Sequence, residues 1–146
     1  MNWDEVDDAP EYCECLMNKV VEAKVVSVYD GDTIKALIPL NGVLYKWNCR
    51  LSGIDTPELR TRNVNEKKYG YVVRDLLREQ ILKRVVNLRC GELDKYGRLL
   101  VTVFLGDQDM NQWLIDNDYA FAYDGGTKRD WEEYLLAKPD SEKLKL

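Results

Sequence analysis

Short apolar blocks punctuated by turn signals run through most of this chain. KVVEAKVVSVY, Lys19–Tyr29, is valine-rich and partly alternating, which predicts a first strand. DGDT, Asp30–Thr33, is a turn signature, and TIKALI resumes a strand with Ile34, Ala36 and Ile38 on one face. The next turn is expected at Pro39–Gly42, where Asn41-Gly42 is a strong short-range hairpin signal. VLYKWNCRL then alternates cleanly: Val43, Tyr45, Trp47, Cys49 and Leu51 share one face, and Leu44, Lys46, Asn48 and Arg50 the other. Arg50 therefore leaves this third strand on its polar face, next to the corner GIDTPE.

The period changes after that corner. Over residues 63–83 Tyr69, Val72, Val73, Leu76 and Leu77 fall at helical spacing, an apolar stripe suited to packing on a sheet. Asn63 with Glu66 three residues on predicts a capping box at its start. RVVNLRC predicts a fourth strand, GELDKYGR a loop and LLVTVFL a fifth strand. Gly106-Asp107 turns the chain into a short helix, DMNQWLID, with Asp109 as N-cap. Trp131, Tyr134 and Leu135 suggest one more short helix, ending near Pro139. Three strands, a long helix, two strands and short helices is the pattern of an α+β, mainly β fold: a five-stranded Greek-key barrel of the OB type. Residues 1–18 read as a flexible acidic leader, 19–137 as the domain, and 138–146 as a loose tail.

Composition narrows the chemistry. At 146 residues the chain has room for one real core. It contains no histidine, which removes Ser-His-Asp and Cys-His nucleophile systems, histidine bases and histidine zinc sites. Hydrolysis here would have to use carboxylates, arginines, lysines, tyrosines and a hard metal. The net charge is −5, yet six acids and no base fall in the first 17 residues; the remainder, with 20 of the 26 acids against all 21 Lys and Arg, is near neutral. Total charge is thus no argument against a nucleic-acid partner. Cys13, Cys15, Cys49 and Cys90 form one C-x-C and two isolated positions, not the paired C-x-x-C of a four-cysteine zinc site, so buried free thiols are expected. No apolar run approaches membrane-spanning length. The acidic opening is unlike a secretory signal or transit peptide, so the chain as given is expected to be intracellular, or else secreted and already trimmed.

Taken singly, each acid in these turns has a plain explanation, because Asp side chains bond the local backbone of turns. Their combination suggests more. With the first and third strands as barrel neighbours, Asp32 and Asp55 would meet at the strand ends. Two carboxylates, a backbone carbonyl and waters form a hard oxygen site suited to calcium, whereas burying like charges without a cation is costly. Arg50 and Arg98 could clamp a phosphate there and stabilise the charge that builds on it under attack. The aromatic stretch YAFAY, Tyr119–Tyr123, could stack bases, but the back wall of the barrel is its expected place.

VYDGDTIKALI, CRLSGIDTPE, EKKYGYVVRDLL and LDKYGRLLVTVFL, taken together and in this order, resemble the staphylococcal nuclease (thermonuclease) family from about Lys19 to Tyr123. That resemblance implies Asp32 and Asp55 as calcium ligands with the Thr56 main-chain carbonyl, Asp30 as a supporting acid, Arg50 and Arg98 as catalytic arginines, and Glu58 as the group that orients or deprotonates water. Lys95 and Tyr96 match less closely, as substrate-binding positions. The implied activity is calcium-dependent hydrolysis of DNA and RNA, single strands preferred, leaving 3′-phosphate and 5′-hydroxyl ends, by a monomer with no membrane partner. The competing reading is a nuclease-like module that binds nucleic acid or protein without catalysis. A plain OB-fold single-strand binder has no need of Glu58 or of paired acids on the phosphate path.

Overall fold

The computed structural model of the protein describes residues 2–8 and 16–138; Cys13, Cys15 and the tail beyond Lys138 lie outside them. After a 3-10 turn at Trp3–Glu5 the elements are β1 (Val20–Val28), β2 (Thr33–Leu40), β3 (Val43–Leu51), β4 (Ile54–Asp55), α1 (Val64–Ile81), β5 (Val85–Leu93), β6 (Leu99–Leu105), β7 (Gln108–Asp109), α2 (Met110–Asp116), β8 (Phe121–Ala122) and α3 (Trp131–Ala137). The main sheet has the order β3-β2-β1-β5-β6-β7 and closes through parallel pairing of Cys49–Leu51 in β3 with Leu99–Val101 in β6. The result is the five-stranded closed barrel anticipated from the pattern, with α1 between its third and fourth long strands. Among the described residues no helix is long and apolar enough to cross a membrane.

The barrel interior comes from the alternating faces. Ile34, Ala36 and Ile38 of β2, Trp47, Cys49 and Leu51 of β3, Val86, Leu88 and Cys90 of β5, and Leu99, Val101 and Val103 of β6 are all buried. In β1 the alternation slips, with Ala23, Val25 and Val28 inward, because an irregularity between Val25 and Ser27 shifts the register against β2. Tyr69, Val73, Leu77 and Ile81, four apart on α1, form the stripe that covers the barrel. Leu16 is buried in the same core, so packing reaches past Lys19 toward the N-terminus.

Several local expectations change. Pro39 is not in a turn: it lies in β2 opposite Leu44, and the turn is the two residues Asn41-Gly42, both with positive φ (52° and 80°). The β2–β3 hairpin projects beyond the barrel here, since β1 pairs β2 only as far as Leu37, so the missing Pro39 N–H breaks no ladder on that side. For the same reason Val43 and Tyr45 are exposed although they share a face with Trp47. β5 runs on to Leu93, shortening the loop expected from Gly91. The small sheet β4–β8 had no sequence signal strong enough to announce it. β1 and β3 are not neighbours; β2 lies between them.

Candidate active site

The turn between β1 and β2 holds the first acids. Asp30 Oδ1 accepts the Asp32 N–H (3.1 Å), folding DGD on itself, and the Asp32 carbonyl accepts the Leu51 N–H (2.8 Å), tying the turn to the end of β3. Gly31 is required by close approach: a Cβ there would meet Thr56 Cγ2 and Val73 Cγ1 at 2.8 Å. Asp32 Oδ2 accepts the Thr56 N–H (3.4 Å), so the meeting of the first turn with the GIDTP corner is direct, although it is reached through β2 and not by β1–β3 pairing. Behind the corner β8 pairs with β4, and the Gly53 carbonyl accepts the Tyr123 N–H (2.8 Å), fixing the backbone that presents Asp55 and Thr56.

Arg50 lies opposite Thr33 in the β2–β3 ladder. Its guanidinium donates to the Leu51 and Ile54 carbonyls (2.9 and 3.0 Å) and pairs with Asp32 Oδ2 at 3.2 Å. Arg98 donates to Asp94 Oδ2 (2.8 Å) and to Thr33 Oγ1 (3.4 Å), which places it on the other side of the same turn. Asp94 also accepts the N–H groups of Tyr96 and Arg98. Burial opposes its ionised form, but these hydrogen bonds and the Arg98 charge outweigh burial and hold its carboxyl below the usual range. Arg50, Arg98, Asp30, Asp32, Asp55, Thr56 and Glu58 all line one cavity of about 280 Å³. Tyr96 lines it too, and Lys95 sits beside Tyr96 on an adjoining cavity.

The anticipated capping box at Asn63 does not form: Asn63 makes no side-chain cap bond. Glu66 instead receives Asn63 Nδ2 on Oε1 (3.3 Å) and the Glu58 N–H on Oε2 (2.9 Å), so a buried carboxylate of α1 holds the backbone of Glu58. Glu132 of α3 supplies the helix end instead, accepting the Glu66 N–H (3.1 Å) and Asn65 Nδ2 (3.0 Å).

Two residues of the site had no sequence signal. Lys128 Nζ lies 3.3 Å from Asp55 Oδ1 and 3.7 Å from Glu58 Oε1, and Trp131 Nε1 donates to Asp55 Oδ2 (3.2 Å). They stand more than seventy positions from Asp55, and only the fold of 123–131 over the barrel mouth joins them to it. Phe121 stacks on Trp131 (3.9 Å between centroids) and Tyr119 packs edge-on against Tyr69, so most of the YAFAY stretch forms a wall. Tyr123 lines the cavity that also holds Tyr96.

Burial, with Asp32 beside it, pushes Asp30 up to about 7. Burial also raises Asp55, and Asp32 adds to this, while Lys128 and the Trp131 hydrogen bond oppose it. Partial burial would lower the Lys128 ammonium, but Asp55 and Glu58 outweigh burial and its shift is upward. Among the described residues no group of three or more Asp, Glu, His or Cys side chains forms a ready-made metal cage. What is present is a crowded acidic turn opposite Asp55, with Thr56 Oγ1 buried and without a hydrogen-bond partner among the described residues. Two carboxylates with backbone and hydroxyl oxygens fit a hard cation that keeps several waters.

The family described as staphylococcal nuclease homologue matches residues 48–145. A thermonuclease of Staphylococcus hyicus is 32% identical over 125 residues, covering 84% of this chain and 72% of the relative. The chain belongs to the staphylococcal nuclease homologue family. An uncharacterised protein of Methanocaldococcus jannaschii is 31% identical over 68% of this chain and 58% of its own length. An uncharacterised endonuclease of Escherichia coli O157:H7 is 29% identical over 71% and 62%. The chain thus spans 58–72% of the length of these three family relatives.

Proposed function

We propose that this protein is a nuclease, a phosphodiester hydrolase acting on nucleic acid, and that it is calcium-dependent. The observation that carries the reading is the single cavity lined by Asp32, Asp55, Glu58, Arg50 and Arg98. Asp32, Asp55 and the Thr56 main-chain carbonyl would hold the ion, with Asp30 supporting it through water. Calcium bound there supplies Lewis-acid polarisation of a phosphoryl oxygen. Glu58 accepts or aligns the proton of the attacking water. Arg50 and Arg98 bind the equatorial oxygens as negative charge builds at phosphorus, each acting as a preorganised donor. These groups address phosphate and not base edges, so both DNA and RNA are substrates and sequence preference is slight. Single strands suit a cavity in which a phosphate must reach Arg50 and Asp32, whose side chains are only 13% and 12% exposed. In-line attack opposite the 5′ oxygen leaves a 3′-phosphate and a 5′-hydroxyl. One chain supplies every group invoked, so the reading requires no second copy.

The test is incubation of purified protein with single-stranded DNA and RNA in calcium, magnesium or chelator, with identification of the product ends. Calcium-stimulated cleavage to 3′-phosphates supports the reading. Binding without cleavage in calcium replaces it with the non-catalytic module.

A further inference from the structure

A wider groove adjoins the candidate site and has no part in the chemistry above. Its volume is about 600 Å³, and it shares Tyr29, Leu59 and Arg60 with the site cavity. Beyond Arg60 its charged wall is Arg62, Lys67, Arg74 and Arg78, with no carboxylate among the lining residues. This is a local concentration of positive charge in a chain of net charge −5. A solvated helix face would be expected to carry mixed charges. The one acid that pairs here, Asp75, holds Arg74 at 3.0 Å and Arg78 at 3.9 Å without lining the groove. Arg62 and Lys67 are exposed and make no ion pair among the described residues. Tyr71 is 40% exposed, and the Arg74 guanidinium lies 4.6 Å over its ring. Cations beside an exposed aromatic ring provide what a single strand requires: charge for phosphates and a face for a base.

The arrangement is two-sided. A cavity of about 680 Å³ shares Arg50, Tyr96, Arg98 and Lys128 with the site and adds Tyr123, while sharing no residue with the α1 groove. The site therefore sits between two cavities, one with tyrosines and Lys95, the other basic along α1.

We propose that the α1 groove binds the continuation of a single-stranded polynucleotide on the side of the site away from Tyr96 and Tyr123, with phosphates on Arg62, Lys67 and Arg74 and a base on the face of Tyr71 that Arg74 does not cover. The identity of the strand rests on the nuclease reading. The groove makes the protein a reader of strand length as well as of one phosphate.

The probe is a fluorescein-labelled oligothymidylate 12-mer, followed by anisotropy in chelator so that nothing is cleaved. R62Q/K67Q/R74Q is expected to weaken its binding at least about tenfold at ~0.1 M salt and to reduce the slope of log K against log salt by about 2, at ~0.7 per lost phosphate contact on a single strand. R62K/R74K is expected to keep the wild-type slope. An unchanged affinity and slope in the glutamine variant overturns the proposal, as does an equal loss in the lysine variant, which would remove charge as the cause. Cleavage of the same oligomer by wild-type protein in calcium is scored alongside. No cleavage with a salt-sensitive groove sinks the nuclease reading alone; cleavage with an insensitive groove sinks this proposal alone.

Discussion

Lys128 Nζ sits 3.3 Å from Asp55 Oδ1, inside the group of acids that would take a cation. A calcium ion arriving at Asp55 must compete with that ammonium. The Lys128 side chain is 46% exposed while that of Asp55 is 5% exposed, so solvent screens the ammonium end and tempers the pair. Lys128→Gln should therefore tighten calcium binding, by no more than about fivefold. Calorimetric titration of calcium into each protein without substrate checks this. Weaker binding in Lys128→Gln would show that the lysine organises the acids and does not compete for them.

The two arginines should separate activity from stability differently. Arg98 pairs with Asp94, which keeps the Tyr96 and Arg98 backbone N–H groups as donors when the side chain is removed, so Arg98→Ala should lower kcat by about 10²–10³ with a small change in Tm. Arg50 also satisfies the Leu51 and Ile54 carbonyls and the largely buried Asp32. Arg50→Ala should lose both the rate and about 1–3 kcal/mol of stability, because it takes a donor from the Leu51 and Ile54 carbonyls and the ion-pair partner from Asp32. Arg50→Lys keeps the charge but not the fork, and should recover part of the stability and little of the rate. Tm and kcat measured on the three variants decide it; a stable Arg50→Ala would contradict the geometry.

The barrel was legible because its strands alternate and its helix does not, and periodicity reports which face is buried. Asp32, Arg50, Asp55 and Arg98 were legible as candidates because acids and arginines stood at strand ends in short motifs. What was not legible came from distant segments meeting. Lys128 and Trp131 reach Asp55 only through the fold of the chain after β8, and a two-residue strand such as β4 carries no period. Asn63 and Glu66 had the right spacing for a cap, but Glu132 satisfies that helix end and frees Glu66 for the Glu58 backbone. Pro39 signals a turn locally, yet the hairpin beyond the barrel leaves its missing N–H harmless.

Glu66 gives a positioning test for Glu58. Its Oε2 accepts the Glu58 N–H at 2.9 Å while the Glu58 side chain itself is more than half exposed. Glu66→Ala should let the corner backbone shift and lower kcat by about tenfold or more, with KM little changed, since a small misplacement of a catalytic group is costly. Glu66→Gln keeps one acceptor oxygen and should restore much of the rate. Loss of stability alone, with kcat per folded molecule unchanged, would leave Glu66 as a structural residue only.

Alkaline pH should unfold this protein early, through its interior thiols. Cys49 and Cys90 are buried, free and hydrogen-bonded through Sγ to the Trp47 and Leu88 carbonyls (both 3.7 Å). Burial pushes Cys49 up to about 12, with Cys90 adding to it, and Cys90 itself up to about 11. An unfolded thiol ionises near 8.5. Both folded pKa values are raised, so the folded state keeps protons that the unfolded chain releases. That contribution to stability is complete below the unfolded value and is lost as pH rises toward 11–12. Each thiol that stays protonated in the fold contributes a slope of about −1.4 kcal/mol per pH unit in that window. Tyr69 works in the same direction at higher pH, since burial raises its phenol, whose hydroxyl donates to the Asp118 carbonyl (2.7 Å). Urea denaturation at intervals from pH 8 to 11 should show stability falling steeply above 9. In Cys49→Ala the absolute stability drops, because a buried side chain is lost, but the fall above pH 9 should flatten by the share of one thiol. A slope identical to wild type in that variant would mean that some other group, and not the barrel thiols, governs the alkaline limit.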